Sequence, residues 1–434
     1  MDRRATTGVH ADGTAVAGAT TEFEQDVMDL LVDTLRRAVR RELPVVGTDT
    51  LLGELVLGET DAGEAIAPGM RKAGALSGMI AGMAGRGWAS DDETPGEPGP
   101  AGAGEAANRA GEAADRAGEA ADRGVEEKAA DAREVEAAWR EARWRFALGT
   151  RGSARESGRA LPGMTGALRA CLLRALGSAR AEGTISVRCR HVARALLELP
   201  DSRAREALLL RQLDPAAAAA ALDRLDAGAA GRQRGPESRG VTLLRRAGTL
   251  GKSGNPLTRA LTSWTSGSSV NGSPVLFAVS VEATRQAVRC GRAAAEPVDL
   301  LLGILALDRA LSVAGRSLPA PLADANAAAA LLRRHGVRQV SLVSAASVSP
   351  AAALPDGGTV RPSAASDRAM AVARRSAAEH RSPTTGTVHL LSALLDEART
   401  DADAGSGPAA VRLLVADRVD VAALRAELSP RLGA

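Results

Sequence analysis

Two fragments more than 300 residues apart share one pattern: GTDTLL at Gly47–Leu52 and GTVHLL at Gly386–Leu391. In each, a glycine and a threonine precede a leucine-rich run. A threonine hydroxyl can accept a hydrogen bond from an amide in the first turn of a helix, and glycine lets the chain turn sharply before it. The pattern predicts that Thr48 and Thr387 are the N-caps of two amphipathic helices.

Another helical pattern precedes the first fragment. Apolar residues recur at helical spacing from Phe23 to Val39, and charged residues such as Asp29 and Arg36 lie on the other side. We therefore expect a unit of helix, short connection and second helix.

This unit resembles the Clp N-terminal repeat, the module at the front of the Clp family of AAA+ unfoldases. The family pattern is a starting phenylalanine, a helix and then a Gly-Thr-Glu-His-Leu-Leu helix. Phe23 and Gly47 have about the separation of that pattern, and His389 occupies its histidine position in the last copy.

Two further copies are weaker. Met164–Leu197 contains RCRHVARALL, with His191 at the histidine position. Val279–Leu307 contains EPVDLLLGIL, with Asp299 at that position and Pro297 near the helix start, where proline is tolerated. Because a domain of this family contains two repeats, four repeats imply two tandem domains.

The resemblance and the shifts in composition predict the organisation of the chain. Residues 1–20 are expected to be disordered, and residues 229–274, rich in Gly, Ser, Arg and Pro, to be a linker. The first domain is predicted at residues 21–228, with repeats at about 21–67 and 162–227 on either side of an insertion at 68–161. The second domain is predicted at residues 275–434, with repeats at about 275–346 and 364–431.

The insertion has three parts. The glycine-rich run GMRKAGALSGMIAGMAGRGW predicts a loop in preference to a helix that contacts a partner or a membrane. The sevenfold AGEAADR-like pattern across Ala103–Arg123 predicts a solvated helix with acid-before-base pairs. Farther along, Trp139 and Phe146 are seven residues apart and are expected to pack on the first domain.

Composition indicates the fold class. Apolar residues make up 45% of the 434 residues, but aromatic residues only 2%, and tyrosine is absent. Sheets favour β-branched and aromatic residues, whereas Ala and Leu favour helices. We predict an all-α protein, and the resemblance implies two tandem Clp-N-like helical domains, each a pseudo-twofold pair of four-helix repeats.

Charge and cysteine content exclude several classes. The net charge is +3, so nucleic-acid binding is not expected. Cys171, Cys189 and Cys290 are far apart and odd in number, which favours buried free thiols over disulfides or a zinc site. The N-terminus lacks an apolar signal core and no window has the roughly 18 to 20 apolar residues of a membrane span. The protein is expected to be cytoplasmic, with no membrane partner.

No motif predicts catalysis. RAGTLGKS at Arg246–Ser253 approaches a phosphate-binding loop, but Arg246 stands where the leading glycine is needed. The five histidines form no local triad with nucleophiles and acids, and the two in the repeats are expected to cap or pack. We therefore predict a protein that is not an enzyme and needs neither cofactor nor metal.

The resemblance implies ligands. Domains of this family recognise adaptor proteins and, in some members, phosphoarginine, and they are targets of cyclic-peptide antibiotics. The family's glutamate position is Asp49 in the first repeat and Arg190, Val298 and Val388 in the others. Asp49 can equally be a first-turn acid that favours the helix dipole. The predicted ligand-binding residues are Phe23, Thr48, Asp49, Thr387 and His389.

The expected function is therefore a non-catalytic protein- or peptide-binding module without an ATPase. It would act as a decoy that sequesters ligands such as cyclic-peptide antibiotics, or as an adaptor in Clp proteolysis that engages an AAA+ unfoldase. The alternative is an Arg-rich helical DNA-binding protein, whose DNA retention would depend on salt.

Overall fold

The computed structural model describes residues 18–58, 60–83, 87–89, 111–149, 161–229, 235–250, 273–347, 359–396 and 408–433. Within these ranges the chain is predominantly helical, with three pairs of two-residue strands. The all-α prediction is confirmed. No described helix is long and apolar enough to span a bilayer. Most of the predicted disordered N-terminus, the first part of the sevenfold pattern and the end of RAGTLGKS lie outside the described residues.

The first half of the chain contains nine helices and four strands among the described residues. In order they are β1 (Glu22–Phe23), α1 (Gln25–Arg40), β2 (Val45–Val46), α2 (Thr48–Leu57), α3 (Asp61–Ile66), α4 (Met70–Met83), α5 (Gly111–Gly149), β3 (Gly163–Met164), α6 (Gly166–Ala181), β4 (Ser186–Val187), α7 (Cys189–Glu198), α8 (Arg203–Leu210) and α9 (Pro215–Ala229).

The second half continues the same alternation of helices with very short strands. Its described elements are α10 (Arg239–Arg246), α11 (Pro274–Arg289), β5 (Ala294–Ala295), α12 (Pro297–Val313), α13 (Ala320–Ala323), a 3-10 turn (Asp324–Asn326), α14 (Ala328–Arg334), α15 (Gln339–Ser347), β6 (Arg361–Pro362), α16 (Ala364–Glu379), α17 (Thr387–Leu395), α18 (Ala409–Ala416), α19 (Val421–Leu428) and a 3-10 turn (Ser429–Arg431).

The strands join the helical units in a reciprocal way. The strand before α1 pairs in parallel with the strand before α7, with Phe23 opposite Val187. The strand before α2 pairs in parallel with the strand before α6, with Val46 opposite Met164. Residues 21–67 and residues 162–227 therefore contribute one strand each to both of these pairs.

The second half repeats one of these pairings. Ala295 before α12 pairs in parallel with Pro362 before α16, and the Ser363 amide donates to the Ala295 carbonyl at 2.9 Å. α11 begins at Pro274, one residue after the described segment starts. Within the described residues this half has a single strand pair.

Two large hydrophobic clusters fill the molecule. The first contains buried residues between Phe23 and Leu222, and the second contains buried residues between Val241 and Leu432. We call the elements around them the first lobe and the second lobe. Leucine, alanine and valine supply most of both clusters, as expected from a chain with few aromatic residues.

The long helix α5 lies between the lobes. One of its faces belongs to the core of the first lobe through Val135, Ala138, Trp139, Ala142 and Phe146. This confirms the predicted packing of Trp139 and Phe146 on the first half. Trp144, on another face of α5, packs against a small apolar cluster of the second half that consists of Ala287, Val288, Ala295 and Val360. The insertion therefore bridges the two lobes.

The loop predicted from the glycine-rich run is wrong. Residues Met70–Met83 form helix α4, and Leu76 and Ile80 are buried against the first lobe. Gly74, Gly78 and Gly82 are exposed on this helix. The stabilisation from burying two large apolar side chains four residues apart outweighs the cost of placing glycines in a helix.

The predicted linker also contains regular structure. α10 lies within residues 229–274, and its Val241 and Leu244 are fully buried in the second cluster. The buried carboxylate of Glu282 accepts hydrogen bonds from the Ser238 hydroxyl at 2.7 Å and the Gly240 amide at 3.2 Å, which fixes the start of α10 on α11. This part of the segment is a helix of the second lobe.

Candidate functional site

All five predicted ligand-binding residues are buried. Phe23 is 1% exposed, Thr48 0%, Asp49 4%, Thr387 4% and His389 0%. They lie in two different lobes, so the structure does not bring them together into one site. In this structure they pack and form hydrogen bonds, and they present almost no surface to a ligand.

Thr48 and Thr387 are not the N-caps of their own helices. Gly47 and Gly386 occupy the N-cap positions, and each threonine is the first helical residue. The Thr48 hydroxyl instead accepts from the amide of Ala204 in α8 at 3.1 Å, and that of Thr387 accepts from the amide of Ala328 in α14 at 3.4 Å.

This correction reveals a shared feature of the two lobes. In each lobe the threonine of one unit satisfies an amide at the start of a helix from the other unit. The first amides of a helix have no partner within the helix, so they must be satisfied from outside. The Gly-Thr fragment thus links the two units of a lobe.

The histidine position has a capping role. Nδ1 of His191 accepts from the amide of Arg188 at 2.9 Å, and Nδ1 of His389 accepts from the amide of Gly386 at 3.1 Å. Asp299 makes the equivalent bond through Oδ2, which accepts from the Glu296 amide at 2.9 Å. Three of the four units therefore satisfy the N-cap amide with the side chain three residues later.

Burial shifts the pKa values of Asp299 and His389 in opposite directions. Burial raises the pKa of Asp299 to about 6 against the opposing effect of the neighbouring Arg292 guanidinium. Burial lowers the pKa of His389, whose other ring nitrogen, Nε2, donates to the Leu432 carbonyl at 2.9 Å. Each effect favours the neutral side chain, because burial penalises charge.

The most heavily charged buried region lies between the lobes, along α5 and α11. We call it the arginine–glutamate cluster; it consists of Glu22, Glu24, Glu134 and Glu141 from the first lobe and Arg285, Arg289 and Arg309 from the second. None of these residues lies in the two apolar clusters. The cluster supplies directional contacts where the lobes meet.

Glu141 is the centre of the arginine–glutamate cluster and is 0% exposed. Nε of Arg285 donates to its Oε1 at 3.0 Å, and Nη1 of Arg289 donates to its Oε2 at 3.0 Å. Arg145, on the next turn of α5, also donates to it. Burial raises the pKa of Glu141, but the guanidinium groups of Arg145, Arg285 and Arg289 outweigh burial and hold that pKa at about 2.

Arg309 of α12 reaches the edge of the first strand pair. Its Nε donates to the Thr20 carbonyl at 2.8 Å, and its Nη2 donates to Glu24 at 2.7 Å and to the Ile185 carbonyl at 2.6 Å. One planar guanidinium thus binds three acceptors of the first lobe, a geometry for which arginine is suited and lysine is not.

Two cavities flank this interface. The larger cavity, of about 390 Å³, lies between α5 and α6 on one side and α11 and α15 on the other. The smaller cavity, of about 230 Å³, lies among the start of α1, α5, and the second-lobe helices α10, α11 and α12. Both contain members of the arginine–glutamate cluster in their walls. In each of these two cavities a ligand can contact both lobes at once.

Sequence reasoning missed this interface. Glu134 and Glu141 are seven residues apart on α5, and Arg285 and Arg289 are four apart on α11, so each pair lies on one helix face. Such stripes are a detectable signal. Charged stripes usually face solvent, however, and nothing in either segment alone indicates that the two stripes meet.

The three cysteines are buried and free, as predicted. Burial and the carboxylate of Asp26 raise the pKa of Cys189, which disfavours a reactive thiolate. Among the described residues no group of three or more His, Cys, Asp or Glu side chains could hold a metal ion.

No family model, curated protein or solved structure matches this chain.

Proposed function

We propose that this chain is a non-catalytic peptide- or protein-binding protein built from two domains like the N-terminal domain of Clp unfoldases. It acts by sequestering ligands of such domains, or as an adaptor that engages an AAA+ unfoldase. The observation that carries the proposal is the reciprocal parallel pairing of β1 with β4 and β2 with β3, which joins two similar helical units into one lobe.

The hydrogen bonds of the repeats add support. Thr48 and Thr387 link the two units of their lobes in the same way, and His191 and His389 make the same bond to an N-cap amide. These agreements fall on the residues on which the family resemblance rests. They support a duplicated domain with a common architecture.

Phosphoarginine recognition is not part of this proposal. Asp49, the one carboxylate at the family's glutamate position, is 4% exposed and accepts a long bond of 3.5 Å from the Thr50 hydroxyl. At the corresponding position of the fourth unit, Val388 is 0% exposed. A planar cation needs an accessible carboxylate, so an apolar peptide is the better candidate ligand.

The first lobe offers a surface for such a peptide. Leu209 and Leu210, adjacent at the end of α8, are 58% and 53% exposed. Contiguous exposed apolar side chains are a common feature of interaction sites. A variant with Leu209→Gln and Leu210→Gln removes this surface without touching the core, and Val415→Gln, at a residue 58% exposed on the other lobe, is its matched control.

The test is calorimetric titration of the full chain with a cyclic peptide of the class that binds Clp N-terminal domains. Sequestration predicts saturable heat at micromolar protein, weakened at least tenfold in the double Leu variant and unchanged in Val415→Gln. An absence of heat, with an AAA+ unfoldase enriched on the immobilised chain from a lysate of the source organism, would favour the adaptor. Salt-dependent retention of the chain on DNA, with neither peptide binding nor enrichment, would overturn the proposal and favour the DNA-binding alternative.

A further inference from the structure

We propose that the larger cavity between the lobes binds an organic carboxylate with a small apolar group, recognised by the Gln286 amide and the guanidinium groups of Arg140 and Arg133. The proposed site consists only of residues of this cavity. Binding there does not depend on any relationship to unfoldases.

Gln286 provides the first observation. It lines the larger cavity and is 1% exposed, yet its Nε2 has no hydrogen-bond partner in the described part of the chain. A buried donor without an acceptor costs about 1–3 kcal/mol, and such groups in native structures need an explanation. An oxygen of a ligand in the cavity would satisfy this donor.

The charges around the cavity provide the second observation. Five arginines and two glutamates are among its described lining residues. The two glutamates are already paired, Glu134 with Arg289 and Glu136 with Arg169 at 2.6 Å. Arg180 pairs with acids of α5. The carboxylates that line the cavity are thus neutralised by arginines of its own wall.

Arg140 and Arg133 remain available to an anion. Nε of Arg140 donates to the backbone carbonyl of Arg289 at 3.0 Å, which is a neutral acceptor, and Arg133 is exposed at the rim. Neither forms an ion pair with a carboxylate of the described residues within 4.0 Å, the limit for such pairs. Burial lowers the pKa of Arg140, and the nearby Cys290 and Glu136 only partly offset this effect. Two arginines and an amide donor are suited to a carboxylate.

The remaining walls select the rest of the ligand. Ala137 of α5 and Val340 and Val343 of α15 add apolar surface to the lining of the cavity. The volume of about 390 Å³ lies at the lower end of the range of small-molecule sites. An inorganic anion would leave the apolar wall unused. A ligand with a carboxylate beside an aliphatic side chain matches both the arginine and amide donors and the apolar wall.

This chemistry has two sources, the C-terminus of a peptide and a free amino acid. N-acetyl-leucine represents the first and leucine the second. The matched control ligand is N-acetyl-leucinamide, which keeps the side chain and the acetyl group but has no carboxylate. Calorimetric titration of the full chain is expected to give at least tenfold tighter binding of N-acetyl-leucine than of the amide. Tighter binding of N-acetyl-leucine than of leucine assigns the peptide terminus, and the reverse order assigns the amino acid.

Variants locate the binding. Gln286→Leu fills about the same volume without the donor, and Arg133→Gln removes a charge at the exposed rim. Each variant is expected to bind N-acetyl-leucine at least fivefold more weakly. Arg224→Gln, at an exposed arginine of α9, is the matched control and should bind as the parent does. Thermal denaturation checks that all variants are folded. Equal binding of acid and amide, parental affinity in both cavity variants, or no binding of either carboxylate at millimolar concentration would each overturn the proposal.

Discussion

The contacts inside the two lobes and the contacts between them have opposite chemistry. Leu52 in the first lobe and Leu391 in the second are 0% exposed and surrounded by other aliphatic side chains. Glu141, between the lobes, is also 0% exposed, but its neighbours are arginines. The same degree of burial is thus reached with apolar groups in one region and with ions in the other.

The difference indicates separate tasks. Apolar burial is non-directional and roughly proportional to area, so it stabilises each lobe whatever the detailed geometry. A buried ion is tolerated only when its partners are close and correctly oriented. We infer that the apolar clusters supply most of the stability, whereas the arginine–glutamate cluster holds the lobes, and the cavities between them, in one relative arrangement.

The largest effect is expected from removing the central charge of the arginine–glutamate cluster. Glu141→Gln keeps the shape of the side chain but leaves Arg145, Arg285 and Arg289 around a neutral amide. Breaking a buried ion pair in this way costs about 3–5 kcal/mol. Urea denaturation should show this loss, and small-angle scattering should show whether the lobes separate.

A matched control distinguishes burial from charge itself. Glu198 pairs with Arg174 at 3.1 Å, but their side chains are 49% and 50% exposed. Glu198→Gln is expected to cost less than about 1 kcal/mol, because exposed ion pairs contribute little. If the two glutamine variants lose equal stability, the interface is not the buried ionic contact described above.

A smaller but still substantial effect is expected inside a lobe. Leu391→Ala removes a fully buried side chain from the second cluster and should cost about 3 kcal/mol, and Leu52→Ala should cost a similar amount in the first. Hydrogen exchange would show which amides lose protection. Loss confined to the mutated lobe means that the lobes unfold separately, whereas loss in both lobes means that the ionic interface couples them.

Sequence reasoning succeeded where apolar periodicity carries the information. The Leu390, Leu391, Leu394 and Leu395 pattern predicted α17, and Trp139 and Phe146 predicted the packing of α5, because a stripe of large side chains must be buried somewhere. It failed for α4, where the glycines concealed the buried pair Leu76 and Ile80.

The candidate site was far less predictable. Its walls come from α5, α6, α11 and α15, which are distant in sequence. Gln286 and Arg140 belong to no recognisable sequence motif. Their role in the proposed site depends on the groups that surround them in the folded chain. The Gly-Thr and histidine positions were visible because they recur, but their hydrogen bonds show that recurrence marked helix capping and the joining of units.

The pH dependence of stability offers a finer test within the second lobe. The pKa of Asp299 is raised from 3.8 to about 6, so its contribution to stability is complete below pH 3.8 and is lost as the pH rises through about 6. Compared with Asp299→Asn, which cannot titrate, the parent should lose about 1 kcal/mol between pH 5 and pH 7.5. Urea denaturation of both proteins across this range measures the difference, and parallel curves would contradict the raised pKa.

The smallest effect is expected at the equivalent position of the next unit, where His389 should show the opposite sign. Burial lowers the pKa of this imidazole below 6.5, so its contribution is present above pH 6.5 and is lost as the pH falls through the lowered value. His389→Asn keeps an acceptor for the Gly386 amide but loses the donor to the Leu432 carbonyl, which should cost about 1 kcal/mol at pH 7.5. The cost should shrink toward pH 5, because only the parent is then penalised by protonation. A cost that grows as the pH falls would mean that the charged imidazole is stabilised, and it would contradict the lowered pKa.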